Sequence, residues 1–138
     1  MADDPININP IDLEPDVALC VNLPMNAQVG GGFSSTYFTK DQIKANLLNL
    51  FLTMLGERVM QPEFGTRLWE YIFEPVNDEL KKVKIKNELK RAVNLWMPMV
   101  KIDEITFPTD ANEHKVYVKV FYRVPNYNLL DELKLEVQ

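Results

Sequence analysis

The spacing of hydrophobic residues predicts a helix that begins near residue 39. Thr39 and Gln42, three positions apart, have the pattern of a capping box at a helix start. The apolar positions that follow recur at helical spacing, at Ile43, Leu47, Leu50, Phe51 and Met54, joined by Leu48, Leu52 and Leu55. Gly56 then suits the position just past a helix end. This wide apolar stripe predicts a helix that is covered on more than one side.

Two further helices are predicted between residues 66 and 96. A short one covers about 66–73, with Thr66 as its cap and Pro75 ending it. A longer one runs from Asn77 or Asp78 to Trp96. Its expected buried stripe is Leu80, Val83, Leu89, Ala92, Val93 and Trp96. Its other face is basic, with Lys81, Lys82, Lys84, Lys86, Lys90 and Arg91. Such a face is usually solvated, and the alternative is a docking surface for an acidic partner or for the chain's own acidic arm.

The remaining sequence alternates with a period of two, which is typical of strands. A first strand lies within 100–107, with a bulge or break at Asp103-Glu104. Lys115–Val124 turns its even-numbered residues to one side, and Leu133–Val137 forms an amphipathic terminal strand. The predicted fold is therefore α+β, with three helices followed by a small antiparallel sheet of about three strands. Three strands cannot close a barrel, so at least one edge of the sheet must stay open.

Residues 1–38 read as an extended N-terminal arm, and residues 39–138 as the folded domain. Prolines recur in the arm at Pro5, Pro10, Pro15 and Pro24, and three glycines follow at 30–32. The first 39 residues hold five acids and no Lys or Arg, whereas residues 40–138 hold the other 15 acids and all 15 bases. The net charge of −5 therefore lies in the arm. The arm is either a disordered leader or a strap that orders against a neighbouring chain or its own domain.

Composition excludes several classes of function. A chain of 138 residues has room for one domain. An acidic arm on a neutral domain disfavours nucleic acid as a partner. No apolar run approaches the roughly 20 residues that span a bilayer, and the N-terminus lacks the features of a signal peptide. The single Cys20 and the single His114 provide no metal-ligand spacing, and no phosphate-binding loop is present. We therefore expect neither a metal nor a cofactor.

Carboxylates are the one feature that leaves an enzymatic alternative open. Glu63, Glu70 and Glu74 lie close in sequence among aromatic residues, and a glycosidase needs two carboxylates. A general acid would also need an apolar pocket to raise its pKa, which sequence cannot show. We assign no catalytic residue, and a peptidoglycan-degrading enzyme remains the alternative function.

One ordered set of motifs carries a resemblance to a known family. Arg58 is followed by Pro62-Glu63-Phe64-Gly65, then by Phe73-Glu74-Pro75, and the long helix ends at Trp96 and Pro98. This order resembles the baseplate wedge family that starts the sheath of contractile phage tails, has a counterpart in type VI secretion baseplates, and is often labelled lysozyme-like. The resemblance covers about residues 40–138. Where the family has Glu-Pro-Arg after the long helix, this chain has Met97-Pro98-Met99, so any anchor there would be hydrophobic.

The resemblance implies a structural protein of the virion's tail baseplate, assembled in the host cytoplasm, that attaches to the wedge and templates sheath assembly by strand pairing between chains. The implied partners are the tail sheath protein, other wedge proteins and, as a further candidate, the tail tube, without nucleic acid or membrane. Strand pairing is expected at Leu133, Lys134, Leu135, Glu136 and Val137. The wedge contact is expected at Arg58, Pro62, Glu63, Phe64, Gly65, Trp96, Met97, Pro98 and Met99. A secretion-system counterpart would have the same features.

Overall fold

A computed structural model describes residues 9–14, 16–23, 25, 32–72, 79–110 and 115–137. The helices are α1 (Thr39–Leu52), α2 (Leu68–Ile72) and α3 (Glu79–Trp96). The strands are β1 (Cys20–Val21), β2 (Ser35–Thr36), β3 (Lys101–Thr106), β4 (Thr109–Asp110), β5 (Lys115–Val124) and β6 (Leu129–Val137). The predicted α+β fold of three helices with an antiparallel sheet is confirmed.

β5 is the central strand of the main sheet. It pairs antiparallel with β3 and the short β4 on one side and with β6 on the other. The register of β3 shifts between Ile102 and Glu104, so the predicted bulge falls at Asp103. β6 begins four residues earlier than predicted, because a 3-10 turn at Pro125–Tyr127 and a left-handed Asn128 (φ 47°) reverse the chain directly into it.

The core lies between this sheet and the helices. β5 contributes Val118, Val120, Tyr122 and Val124, and β6 contributes Leu133 and Leu135, all with side chains at most 2% exposed. The helices contribute Ile43, Leu47, Leu50, Phe51, Ile85, Leu89, Ala92 and Val93. The predicted alternation of β5 is confirmed for these residues, and the side chain of Val116 lies outside the described part of the chain.

α1 ends at Leu52, four residues before the predicted stop at Gly56. Thr53 is already extended, and its hydroxyl donates to the carbonyl of Asn49 at 2.6 Å. The indole N–H of Trp69 donates to the carbonyl of Leu52 at 3.1 Å. The Asn49 carbonyl also accepts the last helical bond, from Thr53 N–H at 3.1 Å, whereas Trp69 takes the Leu52 carbonyl that a longer helix would have used. The prediction that Met54 belongs to the helical stripe is therefore wrong, and its side chain is 49% exposed.

The start of α1 is capped by the arm rather than by a capping box. Asp12 accepts hydrogen bonds from both the backbone N–H of Thr39 (2.8 Å) and its hydroxyl (2.7 Å). Asn9 donates from Nδ2 to the hydroxyls of Thr39 (3.1 Å) and Tyr127 (3.3 Å). β1 pairs with β2, and both contact α1. These contacts favour a strap that folds against its own domain, and they show why Thr39 does not act as the cap.

The buried face of α3 is shifted from the predicted stripe. Leu80 (72% exposed) and Val83 (53%) face outward, whereas Ile85, which the prediction left out, is 2% exposed. Burial begins at Ile85 and continues four residues later at Leu89, because the first turns of α3 extend beyond the core. The predicted start at Asn77 or Asp78 lies outside the described residues.

The loop between α1 and α2 closes on itself through backbone hydrogen bonds. Thr66 N–H donates to the carbonyl of Thr53 (3.0 Å), and Leu55 N–H donates to the carbonyl of Thr66 (3.2 Å). As predicted, Thr66 caps α2, since its hydroxyl accepts from Leu68 N–H at 3.4 Å. Gly65 has a φ of +116°, and a Cβ on it would lie 2.5 Å from the carbonyl oxygen of Thr53. Only glycine fits there.

None of the helices in the described ranges has the length and apolar character needed to span a membrane.

We expect Gly65→Ala to lower the free energy of unfolding by about 2 kcal/mol or more, since it adds a backbone clash to left-handed strain. Gly56→Ala is the matched control, because Gly56 also has a positive φ but nothing lies within 4 Å of its Cβ position. Urea denaturation of both variants measures the difference. An equal loss in the two variants would show that the close approach at Gly65 is unimportant.

Candidate functional site

The two edges of the main sheet differ in regularity. β6 pairs with β5 without a register shift from Val116↔Val137 to Val124↔Leu129. Among the residues described, no strand pairs with the other side of β6. The β3 edge, in contrast, is interrupted by the bulge at Asp103. Bulges are a common device that protects an edge from foreign strands. β6 is therefore the long and regular edge of this sheet.

Two hydrogen bonds indicate which amides of β6 face this edge. Tyr117 N–H donates to the carbonyl of Pro108 at 3.3 Å. The backbone N–H and C=O groups of the odd-numbered residues of β5 therefore point towards β3 and β4. The backbone groups of the even-numbered residues of β5 then point towards β6, where they pair with the odd-numbered residues. In agreement, Glu132 N–H donates to the Asp131 carboxylate rather than to β5. The backbone groups that face outward belong to Leu130, Glu132, Lys134 and Glu136.

The residues expected to pair with a foreign strand divide between two roles. Leu133 and Leu135 have buried side chains, and their backbone groups face β5, as do those of Val137. Lys134 and Glu136 direct their backbone groups outward. Leu130 and Glu132 do so as well. The sequence did not predict them, because the side to which a backbone group points depends on which residues of β5 and β6 are paired.

A second surface is formed by motif residues that are distant in sequence. The guanidinium of Arg58 lies 3.8 Å from the ring centroid of Phe64. The rings of Phe64 and Trp96 meet edge to face, with centroids 5.1 Å apart. Arg58 also donates to the side-chain oxygen of Asn49 in α1 at 3.3 Å. The loop after α1 and the end of α3 are thereby joined by a cation–π and an aromatic contact.

These residues line a pair of adjoining clefts, which we call the motif cleft. One part, of about 210 Å³, is lined by Asn46, Asn49, Leu50, Arg58, Phe64, Trp96 and Met97. The other, of about 260 Å³, is lined by Asn9, Thr39, Gln42, Ile43, Asn46, Trp96, Met97, Met99 and Tyr127. The two parts share Asn46, Trp96 and Met97.

The structure thus brings together five of the nine residues expected at the wedge contact: Arg58, Phe64, Trp96, Met97 and Met99. Pro62, Glu63 and Pro98 are exposed and line neither part, and Gly65 is buried beside Thr53. Sequence reasoning missed Asn46 and Asn49. Their signal was present, since two amides three positions apart interrupt a leucine-rich helix.

Two of the three carboxylates of the enzymatic alternative lie in the described part of the chain. Glu63 and Glu70 are both exposed, and neither lines the motif cleft. Glu74 and the segment Phe73-Glu74-Pro75 lie outside the described residues, as does His114. Cys20 is half-buried in β1. Within the described ranges, no three His, Cys, Asp or Glu side chains are placed to hold a metal ion.

The comparison with protein families decides the class of this protein. A family model described as baseplate wedge protein gp25 matches residues 39–128, which are 90 of the 138 residues. The chain belongs to the baseplate wedge protein gp25 family. It is accordingly a baseplate wedge component of contractile tail systems. The family match contains every residue of the motif cleft except Asn9, and it ends at Asn128, just before β6.

Two solved structures share the fold, with TM-scores above 0.5. A Geobacter sulfurreducens protein provisionally named a tail lysozyme is 27% identical, with a TM-score of 0.64, and the match covers 80% of this chain and 95% of that one. A chain of the anti-feeding prophage baseplate is 21% identical, with a TM-score of 0.57 and coverages of 85% and 82%. A chain of the postcontracted pyocin R2 baseplate is more distant, at 20% identity and a TM-score of 0.49, covering 82% of this chain and 96% of that one. No protein of curated function matches the sequence.

The stacked side chains of the motif cleft yield a stability prediction. In a double-mutant cycle, Arg58→Ala and Phe64→Leu should show a coupling free energy of about 0.5–1 kcal/mol, because each removes one partner of the same cation–π contact. Chemical denaturation of the four proteins measures it. Lys84→Ala with Phe64→Leu is the control cycle, since Lys84 is an exposed cation about 18 Å along α3 from Trp96. Equal coupling in both cycles would contradict the contact.

Proposed function

We propose that this protein is a structural, non-enzymatic baseplate component that attaches to the wedge and templates sheath assembly by strand pairing. The observation that carries this proposal is the outer edge of β6, a regular nine-residue strand whose outward backbone groups meet no strand in the described chain. Unpaired groups on a sheet edge are completed when an extended segment of another chain adds a strand. The tail sheath protein is the partner that the family resemblance suggests, and the host cytoplasm is the place of assembly.

The contrast between the two edges supports β6 as the acceptor. β6 contains no proline and no bulge, and the inner face of its strand is tied to the core by Leu133 and Leu135. An added strand would therefore extend a rigid template. β3 offers a shorter edge with a bulge in it. Natural sheets rarely leave a long flat edge open unless something pairs with it.

The motif cleft is the proposed attachment to the wedge. Its floor is aromatic and thioether surface from Phe64, Trp96 and Met97, and its polar groups are Arg58 and two α1 amides. Met97 takes the place of the glutamate in the family's usual tripeptide, and Met99 the place of the arginine. An apolar side chain from a neighbouring wedge protein would fit between these flexible methionines. The tail tube is a further candidate partner of this baseplate position.

A lysozyme activity is the alternative that the provisional name of the Geobacter protein raises. A glycosidase needs a general acid whose pKa is raised by an apolar pocket. The exposure of Glu63 and Glu70 argues against either carboxylate in that role. We therefore propose a structural role without catalysis.

A zymogram with the purified full-length chain on peptidoglycan should show no clearing, since no described carboxylate of the candidate set occupies an apolar pocket. Hen egg-white lysozyme serves as the positive control. A clearing band that disappears in Glu63→Gln or Glu70→Gln would instead establish an enzyme.

Strand acceptance is tested at Lys134, whose N–H faces the open edge. Lys134→Pro removes that donor without removing a hydrogen bond to β5. Baseplates carrying this variant should form but should fail to start sheath polymerisation from purified sheath protein. Truncation after Leu130 is unsuitable, because it removes the core residues Leu133 and Leu135.

The control for this experiment is Lys134→Ala, which loses the same side chain, including its contact with the Tyr117 ring at 4.2 Å, but keeps the N–H. It should start sheaths at close to the wild-type rate. Sheath growth counted by electron microscopy distinguishes the two variants. Normal growth from Lys134→Pro baseplates would mean that the sheath docks elsewhere.

A further inference from the structure

Asp131 is a carboxylate on the inner face of an edge strand. It lies between Leu129 and Leu133 on that face, and its side chain is only 14% exposed. Oδ1 accepts the backbone N–H of Glu132 at 2.9 Å. Oδ2 accepts the hydroxyl of Tyr122 at 3.3 Å and lies 3.7 Å from the ammonium of Lys40.

One of these contacts involves the open edge directly. Glu132 N–H is among the four outward donors of β6, and its hydrogen bond is accepted by the Asp131 carboxylate of the same chain. An incoming strand must supply its own carbonyl to that N–H and release the Asp131 oxygen. An inward-pointing charge on an edge strand is also a recognised barrier to indiscriminate pairing.

The surroundings of Asp131 are acidic. Burial raises the pKa of Tyr122, and the carboxylates of Asp131 and Asp41 raise it further. A shallow depression on the sheet beside it is lined by Asp103, Phe121, Tyr122, Leu130, Asp131 and Glu132. The nearby cations are Lys40, whose side chain is 51% exposed, and Arg123, which already pairs with Asp103 at 3.2 Å. Lys40 is the only close cation for Asp131 among the described residues.

We infer that the β6 edge selects an extended segment that places a Lys or Arg side chain opposite Asp131, with apolar side chains two residues away on either side. The inference rests on the proposed strand pairing and specifies its partner. Once the Asp131 oxygen is released from Glu132, a basic side chain compensates the carboxylate, and the apolar neighbours extend the apolar inner face on which Leu129 is still partly exposed. An apolar or acidic residue at that position would supply no donor to replace the one that Oδ1 loses, and only Tyr122 and the half-exposed Lys40 would still contact the carboxylate.

The same rule disfavours pairing between two copies of this chain. In an antiparallel contact of two β6 edges centred on Asp131, the two Asp131 carboxylates would lie opposite each other, and in a contact centred on Glu132 the two Glu132 carboxylates would do so. Like charges directly opposite each other destabilise a strand pair. Asp131 thus favours pairing of the β6 edge with a basic segment and disfavours pairing of two β6 edges with each other.

The test uses the full chain and two fluorescein-labelled nine-residue peptides of alternating valine and threonine. The central valine is replaced by lysine in one peptide and by glutamate in the other. In fluorescence anisotropy at about 0.15 M salt, where the Debye length is about 8 Å, the lysine peptide should bind at least about fivefold more tightly. Asp131→Asn should reduce this ratio to about twofold or less. Lys40→Gln should increase it, because the variant removes the internal cation that competes for Asp131.

Glu104→Gln is the matched control. It changes the net charge equally at an exposed carboxylate of β3 and should leave the ratio as in the wild type. Because the chain as a whole is acidic, it attracts the lysine peptide without any specific contact. The decisive quantity is therefore the ratio of the two peptide affinities in Asp131→Asn compared with that in Glu104→Gln. Circular dichroism establishes that each variant folds. If Asp131→Asn does not fold, Lys40→Gln decides the question, and a ratio that does not rise there contradicts the inference.

Two negative outcomes can be told apart. If both peptides bind but the ratio is equal in wild type, Asp131→Asn and Glu104→Gln, the selectivity is overturned while strand pairing stands. If neither peptide binds any variant, the edge does not accept strands, and the proposed function fails together with the inference.

Discussion

The pairing of β5 with β6 is the constraint on which the other features depend. Along an antiparallel strand, the backbone N–H and C=O groups of successive residues point to opposite sides. When a strand pairs on one side only, the backbone groups of every second residue therefore have no partner strand. Among the described residues, β5 is paired on both sides, whereas β6 is paired on one. The burial of Leu133 and Leu135 fixes the register of β6, since a slip by one residue would turn them to solvent. The identity of the outward groups follows from this register.

α1 connects the open edge to the motif cleft. Lys40 in its first turn contacts Asp131 of β6, and Asn49 near its end binds Arg58. The two contacts are about 14 Å apart along the helix axis. Asp12 of the arm caps the same helix at Thr39, and Asn9 joins Thr39 to Tyr127. The arm, the cleft and the edge therefore share one rigid element. A chain held by the wedge at its cleft would present β6 in a fixed direction.

Local patterns predicted the elements but not their contacts. The alternation of Lys115–Val124 gave the limits of β5, and the charged pair Asp103-Glu104 marked the bulge of β3. The capping of α1 by Asp12 could not be predicted, because the carboxylate is 27 residues away and no local pattern links it to Thr39. Helical spacing alone also placed Leu80 and Val83 in the core, since it cannot show where a helix extends past the sheet.

The candidate site was predictable to a similar degree. The motif residues were identified through the family resemblance, but their meeting around Phe64 depends on a turn that only Gly65 permits. The role of Asp131 was invisible in the sequence, where it reads as one more charge before an amphipathic strand. Its importance arises from the side of β6 on which it lies, and that side is set by pairing with β5.

The most direct test of the central claim is amide hydrogen exchange of the isolated chain, followed residue by residue by NMR. The open edge predicts fast exchange at Leu130 and Lys134, slow exchange at Leu133 and Leu135, and an intermediate rate at Glu132, whose N–H is held by Asp131. If Leu130 and Lys134 exchange as slowly as Leu133, the outer side of β6 is already paired within the chain, and it cannot serve as a template for another.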